Sequence, residues 1–353
     1  MTIFGESHGK GIGLVLDGLP PGTPVDEEFI KEEMARRAPG QNKMSTRRQE
    51  KDAFIIESGV FEGRAAGTPL CALIPNSDQH SGDYSILKDV MRPGHADYAG
   101  KVRYKGFNDY RGGGHFSGRL TAPLVFAGAI AKTMLAQKGI TVGSHIARIG
   151  QITDVLFNPL GETAQRLQEL RTHILPVLEE SKAPLMEAEI LSAREQQDSV
   201  GGIIEVMATG MPAGIGDPFF DSLESRLSHA LFSVPAVKGI EFGAGFAMAA
   251  LKGSEANDPM TFDCGKVKTI RNNNGGITGG ITNGMPVLFR VAIKPTPSIS
   301  KPQQTVNESE GRDTILEIKG RHDPCIVPRA VPVIEAVTSW VLSDMLLGQS
   351  TVI

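Results

Sequence analysis

The segments GVFEGRAAGTPLCALI (59–74) and GITGGITNGMPVLFRVAI (276–293) decide how this chain is read. Gly59, Gly63, Gly67 and Pro69 precede an apolar run at 70–74, and Gly276, Gly280, Gly284 and Pro286 precede another at 287–293, with identical spacings. Glycine and proline punctuate turns, and a short apolar run bounded by them reads as a buried strand. The surroundings recur as well. Upstream of the first segment, a strand at 11–16 meets the turn Gly18-Leu19-Pro20-Pro21-Gly22, and Asp26 caps a helix running to about Arg37. Upstream of the second, a strand at 203–207 meets Gly210-Met211-Pro212-Ala213-Gly214. Asp221 with Glu224 then reads as the capping box of a helix with Leu223, Leu227, Ala230 and Leu231 on one face. Downstream, each half reaches a His/Asp motif and then a long apolar helix, at 121–138 and 331–347.

This repetition predicts an α+β chain built as an internally duplicated β-α-β sandwich, with long central helices between two antiparallel sheets. The two pseudo-repeats span about 1–150 and 199–353 of one domain, joined by a helical connector at 151–198. Chance recurrence of Gly and Pro in turns is the competing explanation.

Composition narrows the class. With 22% charged and 40% hydrophobic residues and a net charge of −4, the 353-residue chain reads as an ordinary globular protein rather than a nucleic-acid binder. Cys71, Cys264 and Cys325 are too few and too scattered for a disulfide framework or a cysteine zinc site, which points to a reducing, cytoplasmic setting. No secretory signal is visible at the start. The most apolar segments carry Lys132, Glu335 and Asp344, so they read as buried helices and not as membrane spans. Between Arg36 and Arg48 lie five basic residues and no acid, a cationic patch suited to a small anionic ligand.

Chemistry concentrates at 91–119, where His95, Asp97, Arg103, Lys105, Asp109, Arg111, His115 and Arg119 surround Gly112-Gly113-Gly114. A glycine run lets backbone N–H groups approach a ligand, and neighbouring arginines and histidines hold and protonate an anion. Gly5-Glu6-Ser7-His8-Gly9 reads either as a turn or as a site; it lacks the spacing of a nucleophile elbow, so His8 is an acid or base candidate rather than Ser7 a nucleophile. His95-Ala96-Asp97 is either a pair of metal ligands or a proton donor with an orienting carboxylate. His322-Asp323-Pro324 is either a site or a helix start capped by Asp323. The run 272–280 lacks the context of a dinucleotide fingerprint, yet can lie against a flat cofactor or phosphate. Lys294-Pro295-Thr296-Pro297-Ser298 is either a plain strand end or a stiff loop presenting a cation and two hydroxyls.

Taken together these motifs resemble chorismate synthase over nearly the whole chain: GESHG (5–9), Arg36-Arg37, RPGHADY (92–98), YRGGG (110–114), NNNGGITGG (272–280), KPTPS (294–298) and GRHDP (320–324). The resemblance implies loss of phosphate and a ring proton from 5-enolpyruvylshikimate 3-phosphate to give chorismate, an anti 1,4-elimination that needs reduced FMN without net redox change. It also implies a homotetramer of this same sandwich. By this resemblance His8, with Ser7 beside it, protonates the departing phosphate; His95 protonates the reduced flavin near N1; Asp323 serves flavin N5. Arg37, Lys43 and Arg48 contact the substrate, whose phosphate and two carboxylates call for cations. His115, Phe116, Ser117, Pro235, Ala236, Gly279, Lys294, Pro295, Thr296, Pro297, Ser298 and Arg321 contact the flavin.

The sequence also departs from the family pattern. Many members read Arg-Ser-Ser-Ala-Arg-Glu where this chain has His115-Phe116-Ser117-Gly118-Arg119-Leu120, so His115 stands in for a flavin-contacting arginine. Lys43 stands where Arg is usual, and family chains begin about ten residues earlier. Whether NADPH reduces the flavin on this chain is open; without a dinucleotide fingerprint, a separate flavin reductase is the expected partner. The competing functions are a metal-dependent phosphohydrolase using His95, Asp97, His322 and Asp323, and a non-catalytic binder of phosphorylated metabolites.

Overall fold

The computed structural model describes residues 1–353 except 41–42, 46–49, 51, 78–85, 319–321 and 350–353. In chain order the first elements are β1 (Thr2–Gly5), β2 (Gly11–Leu16), α1 (Glu27–Arg37), β3 (Ile55–Ser58), β4 (Val60–Phe61), β5 (Arg64–Ala65) and β6 (Leu70–Pro75). There follow α2 (Asp97–Arg103), α3 (Thr121–Gln137), β7 (Thr141–Ile149), β8 (Ile152–Thr153), α4 (Ala164–Leu170) and α5 (Lys182–Glu195). The chain continues with β9 (Gly202–Thr209), α6 (Leu223–Phe232), β10 (Val237–Phe242), α7 (Gly253–Ala256), β11 (Met260–Asp263) and β12 (Lys266–Thr269). It closes with β13 (Ile277–Thr278), β14 (Ile281–Thr282), β15 (Val287–Ile293), β16 (Gln303–Asn307), β17 (Arg312–Leu316) and α8 (Val327–Gln349).

Both glycine ladders fold the same way. Each makes a hairpin of two-residue strands, β4/β5 and β13/β14, just before the long strands β6 and β15. All six ladder glycines are left-handed, with φ between 72° and 86°, a region that side chains avoid. β6 then pairs antiparallel with β2 (Gly11↔Pro75 to Leu16↔Leu70), and β15 with β9 (Gly202↔Ile293 to Ala208↔Val287). The sheets run β1-β2-β6-β3 and β7-β9-β15-β10, the second extended by β8 beyond β7. β7, although it falls within 1–150, thus hydrogen-bonds into the second sheet beside β9.

Helices α1, α3, α6 and α8 lie between the two sheets, with α3 and α8 packed on each other and α3 touching both sheets. The chain is α+β with central helices between antiparallel sheets, as expected from the sequence. α3 is apolar on nearly all sides over its first three turns because it has no water-facing side there. Asp26 caps α1, its Oδ1 accepting from Phe29 N at 3.0 Å. Two expected helix starts need correction. Ser222 rather than Asp221 caps α6, because its hydroxyl reaches Ser225 N at 3.1 Å. α8 begins at Val327, ahead of the expected start, and contains Pro332. Asp323 is not its cap, since its carboxylate accepts from Arg329 at 2.6 Å instead.

The helical stretch Gly118–Gln137, which contains α3, and α8 are long and apolar enough to cross a membrane, but most of each is buried in this core. Of the charges that argue against a span, Lys132 and Glu335 pair with each other there, while Asp344 meets Arg226 of α6 at 2.7 Å near the surface. Lys132 Nζ lies 2.6 Å from both Glu335 and Glu33, Arg36 reaches Glu335 at 2.7 Å, and Ser144 Oγ donates to Glu335 at 2.7 Å.

A second buried polar network joins the connector to the second sheet. His145 of β7 has Nδ1 3.2 Å from Asp154 and Nε2 3.0 Å from Glu205, while Asp154 also accepts from the N–H groups of Leu178 and Glu179. Burial disfavours the imidazolium, yet hydrogen bonds to Asp154 and Glu205 outweigh it and hold His145 above its ordinary value. Burial likewise opposes the Asp154 carboxylate, and its hydrogen bonds with His145, Leu178 and Glu179 hold it below. A raised histidine adds stability that is complete below its ordinary value of 6.5 and fades as pH climbs through its folded value. A depressed Asp154 adds stability present above its ordinary 3.8 and lost on acidification. The Tm gap between wild type and His145→Gln should therefore narrow as pH is raised from 6.5 towards 9, about the ordinary value and upwards. A gap independent of pH would show that His145 is neutral in the folded protein.

Candidate active site

The site starts from the turn between β1 and β2. Asn76, just past β6, donates at 2.9 Å to the carbonyls of Glu6 and Gly9 and so fixes the GESHG turn. Ser7 N donates to Gly114 O at 3.2 Å, and Ser7 Oγ donates to Arg111 O at 3.4 Å. Ser7 Oγ also stands 3.1 Å from His8 Nδ1. Since the Ser7 proton points to Arg111, its oxygen accepts from Nδ1–H, which leaves Nε2 as the working nitrogen of His8. Both residues are buried.

Gly112, Gly113 and Gly114 all have positive φ (59°, 97° and 53°), so the run folds into a shape closed to other residues. The His8 ring lies so close to Gly112 that a Cβ there would overlap it. A Cβ on Gly113 would stand 3.1 Å from both Cε1 and Nε2 of His95. The two imidazoles therefore rest on consecutive glycines, whose Cα atoms are about 3.8 Å apart.

His95 sits in the turn ahead of α2. Its Nδ1 lies 2.7 Å from Asp97 Oδ1, and Asp97 accepts a two-pronged pair from Arg92 at 2.7 Å each. Burial pushes the Asp97 carboxyl up, but hydrogen bonds from Arg92 and His95 prevail and keep it well below the usual carboxylate range. The ionised carboxylate accepts a hydrogen bond from Nδ1–H, and Nε2 of His95 faces the glycine run.

The second half supplies the opposite wall. Lys294 Nζ donates to Gly94 O, and Lys294 N donates at 2.9 Å to Ala236 O. Ala236 is left-handed (φ 75°), a strained conformation for alanine, in the segment leading into β10. Ser298 Oγ accepts from Arg92 at 3.2 Å. Burial lowers Lys294, and Lys238 pushes in the same direction. Thr296 Oγ1 and His322 Nε2 are buried with no hydrogen-bond partner among the described residues. Burial pushes His322 below its ordinary value; a backbone hydrogen bond at Ile318 opposes this and the Arg92 charge adds to it.

A chain of charges runs behind this wall. Asp323 accepts from Arg329, Arg329 Nε donates to Arg37 O at 3.0 Å, and Asp52 is clamped between Arg37 and Arg119. Arg37 is 1% exposed, and burial, offset in part by Asp52, lowers it to about 10. The described members of the expected cationic patch, Arg36, Arg37 and Lys43, are engaged by acids outside it: Glu335, Asp52 and Glu187.

This arrangement places two imidazoles close together beside a lysine, a set of groups that can hold an anion and move protons. The family model described as chorismate synthase matches residues 1–347. The chain belongs to the chorismate synthase family. It is 48% identical over 348 residues to the chorismate synthase of Pyrococcus abyssi, covering 98% of this chain and 95% of that one. It is 47% identical to that of Methanocella arvoryzae, covering 99% and 92%. A crystal structure of a chorismate synthase superposes with a TM-score of 0.77 at 31% identity, over 99% of this chain and 91% of that one. Members of this family are carbon–oxygen lyases of the shikimate pathway, and this chain is one.

Among the residues singled out from the sequence, Ser7, His8 and His95 meet at the glycine run, and Ala236, Lys294 and Ser298 close on its rim. Thr296 adds its unpartnered hydroxyl, and Asp323 joins through Arg329 and the Arg37 carbonyl. His115 Nδ1 donates to Gly5 O at 2.9 Å, Phe116 packs on Gly100 and near Tyr104, and Ser117 accepts from Arg119 N. Pro235 precedes Ala236; Pro295 and Pro297 stiffen the Lys294 loop, where Pro297 lies beside Gly94.

Two residues are not brought to the imidazoles. Lys43 is 67% exposed on Glu187 of α5, and Gly279 turns the β13/β14 hairpin beside the start of α6. Arg48 and Arg321 lie outside the described residues. The phosphohydrolase alternative finds no ligand set: Asp97 is engaged by Arg92 and Asp323 by Arg329, and among the described residues no three His, Cys, Asp or Glu side chains converge. Sequence reasoning gave no role to Arg92, Asp52 or Asn76. Arg92 was in view, since it opens RPGHADY; Asp52 sits in a segment with no glycine or histidine to flag it.

Proposed function

We propose that this chain converts 5-enolpyruvylshikimate 3-phosphate to chorismate and phosphate with the help of reduced FMN. The observation that carries this reading is the pair of imidazoles on consecutive glycines, His8 backed by Ser7 and His95 by Asp97. The residues fit a flavin: the buried, unpartnered hydroxyl of Thr296 calls for a polar ligand atom, with Lys294 beside it as a counter-charge. Gly112 to Gly114 leave no side chain between the backbone and a flat ring. When bound, reduced FMN would supply transient electron density and return unchanged, as an elimination without net redox requires.

The chain's own residues would handle binding and protons. In the elimination the carbon–oxygen bond to phosphate and a ring C–H bond break, a ring double bond forms, and phosphate leaves with the bonding pair of its oxygen. The ring hydrogen departs, in net terms as a proton, on the flavin side that Asp323 would serve. His8 would donate a proton from Nε2 to the leaving phosphate, in the doubly protonated form of the ring, and Ser7, accepting from Nδ1–H, would hold the ring's orientation. His95 Nε2 would hold a proton towards the flavin, with Asp97 fixing Nδ1. Asp323, Arg37, Arg119 and Lys43 would furnish the polar surroundings of the anionic substrate, Lys43 after leaving Glu187.

The same reading includes a cytoplasmic homotetramer whose flavin is reduced elsewhere, by a separate reductase or with NADPH. The exposed Phe219, Phe220, Phe246 and Phe262 support association, since so many bare rings are uncommon on a lone subunit. The test is anaerobic turnover with chemically reduced FMN, with and without NADPH, beside a flavin titration, metal analysis and sedimentation. Turnover with reduced FMN alone is expected, at a mass of four chains. Stoichiometric metal with no flavin spectral change would overturn the reading, and a monomer would overturn the assembly.

A further inference from the structure

Arg92 is 6% exposed and makes every one of its contacts inside the protein. Its Nε and Nη2 grip the two Asp97 oxygens at 2.7 Å, and its backbone N–H donates to Oδ2 at 3.0 Å. Its Nη1 crosses to the second half and donates to Ser298 Oγ at 3.2 Å. Nη2 also stands 3.1 Å from His95 Nδ1. That last distance is the third side of a triangle, because Nη2 and Nδ1 both donate to Asp97 Oδ1. One planar guanidinium therefore sets the carboxylate that sets His95, and holds the loop from Lys294 to Ser298.

We propose that Arg92 is the positioning residue that couples the orientation of His95 to the ligand loop of the second half. The inference rests on the proposed flavin site, which that loop would line. The planar five-donor fork of Arg92 is what permits three recipients in fixed directions, and a lysine, carrying a single ammonium, cannot serve them all. Without the guanidinium, Asp97 would keep only His95 and the backbone N–H of residue 92, losing both prongs that fix the plane of its carboxylate. Ser298 would lose its bond to the first half, leaving Lys294 on Gly94 O as a tie of the loop there. Arg92 is almost wholly buried behind His95 and Ser298, so its effect travels through them.

Two readouts test this separately from turnover. In the flavin-free protein, 15N spectra of the histidine rings should show His95 as a single Nδ1–H tautomer, and a mixed population in Arg92→Met. Affinity for oxidised FMN should fall about tenfold in Arg92→Met and less in Arg92→Lys, which keeps the charge without the fork. His95→Gln and Ser298→Ala should be non-additive in FMN affinity in the wild-type background and additive in Arg92→Met. If Arg92→Met fails to fold, Arg92→Lys carries the same comparisons with smaller shifts. An unchanged tautomer, an FMN affinity within about twofold of wild type, or non-additivity that survives in the variant overturns the coupling. Wild-type protein that binds no FMN would overturn the flavin reading instead, and the tautomer measurement would still judge the role of Arg92 on His95.

Discussion

Gly112→Ala should reduce turnover as deeply as His8→Ala, by roughly 100-fold or more, the usual scale of a lost proton-transfer group. No catalytic atom is removed by adding a methyl to Gly112. The methyl would overlap the His8 ring and approach Ser7 Oγ at 3.0 Å, so the imidazole must leave its place above the glycine run. The alanine would also be held at φ 59°, which costs on the order of 1 kcal/mol for an L-residue. That strain is small beside the stability of a domain, so the variant should fold and keep its flavin spectral change. Melting temperature, flavin titration and kcat measured together separate the two effects. A Gly112→Ala enzyme retaining more than about a tenth of wild-type turnover would show that His8 is not the proton donor, or that its position does not matter.

Glu335→Ala should be the most destabilising single change in the central helices, at about 3–5 kcal/mol, the range for breaking a buried ion pair by removing one partner. Glu335 is 2% exposed in mid-α8 and accepts from Arg36, Lys132 and Ser144 at 2.7, 2.6 and 2.7 Å. Burial opposes its ionisation, but the Arg36 and Lys132 charges prevail and hold the carboxyl far below its ordinary value. Its removal leaves Glu33 alone to balance Arg36 and Lys132 while it also shares Arg171 with Glu32. Because the folded Glu335 is depressed, its contribution is present above the ordinary 4.5 and disappears on acidification. Urea unfolding at neutral pH should show the full loss, and the gap to wild type should shrink at strongly acidic pH. A loss under about 1 kcal/mol at neutral pH would mean that water or a rearranged Glu33 replaces the carboxylate.

Local patterns carried much of the fold. The glycine ladders were readable because a left-handed backbone excludes other residues, so turn geometry is written directly into residue identity. Strand β15 falls where its apolar run predicts, and Asp26 caps α1 as its type and place suggest. The start of α6 was read one residue early, since Asp221 and Ser222 are equally good cap types and only the chain's path chooses between them. β7 shows the same limit: nothing local tells a strand which sheet it will join.

The sequence by itself determined the residue types at the site, the glycine run, Ser7-His8, His95-Ala96-Asp97 and the Lys294 loop, because motifs contiguous along the chain survive without a third dimension. Only the tertiary structure decided which charges are engaged. Arg36, Arg37 and Lys132 read as cations from the sequence, and each is matched by an acid from another element. Arg92 was one letter of a motif until folding placed Ser298, 206 positions away, against its guanidinium. Burying an ion without a partner is too costly to persist, and the partner is chosen by where helices and sheets pack, over separations that no sequence window spans.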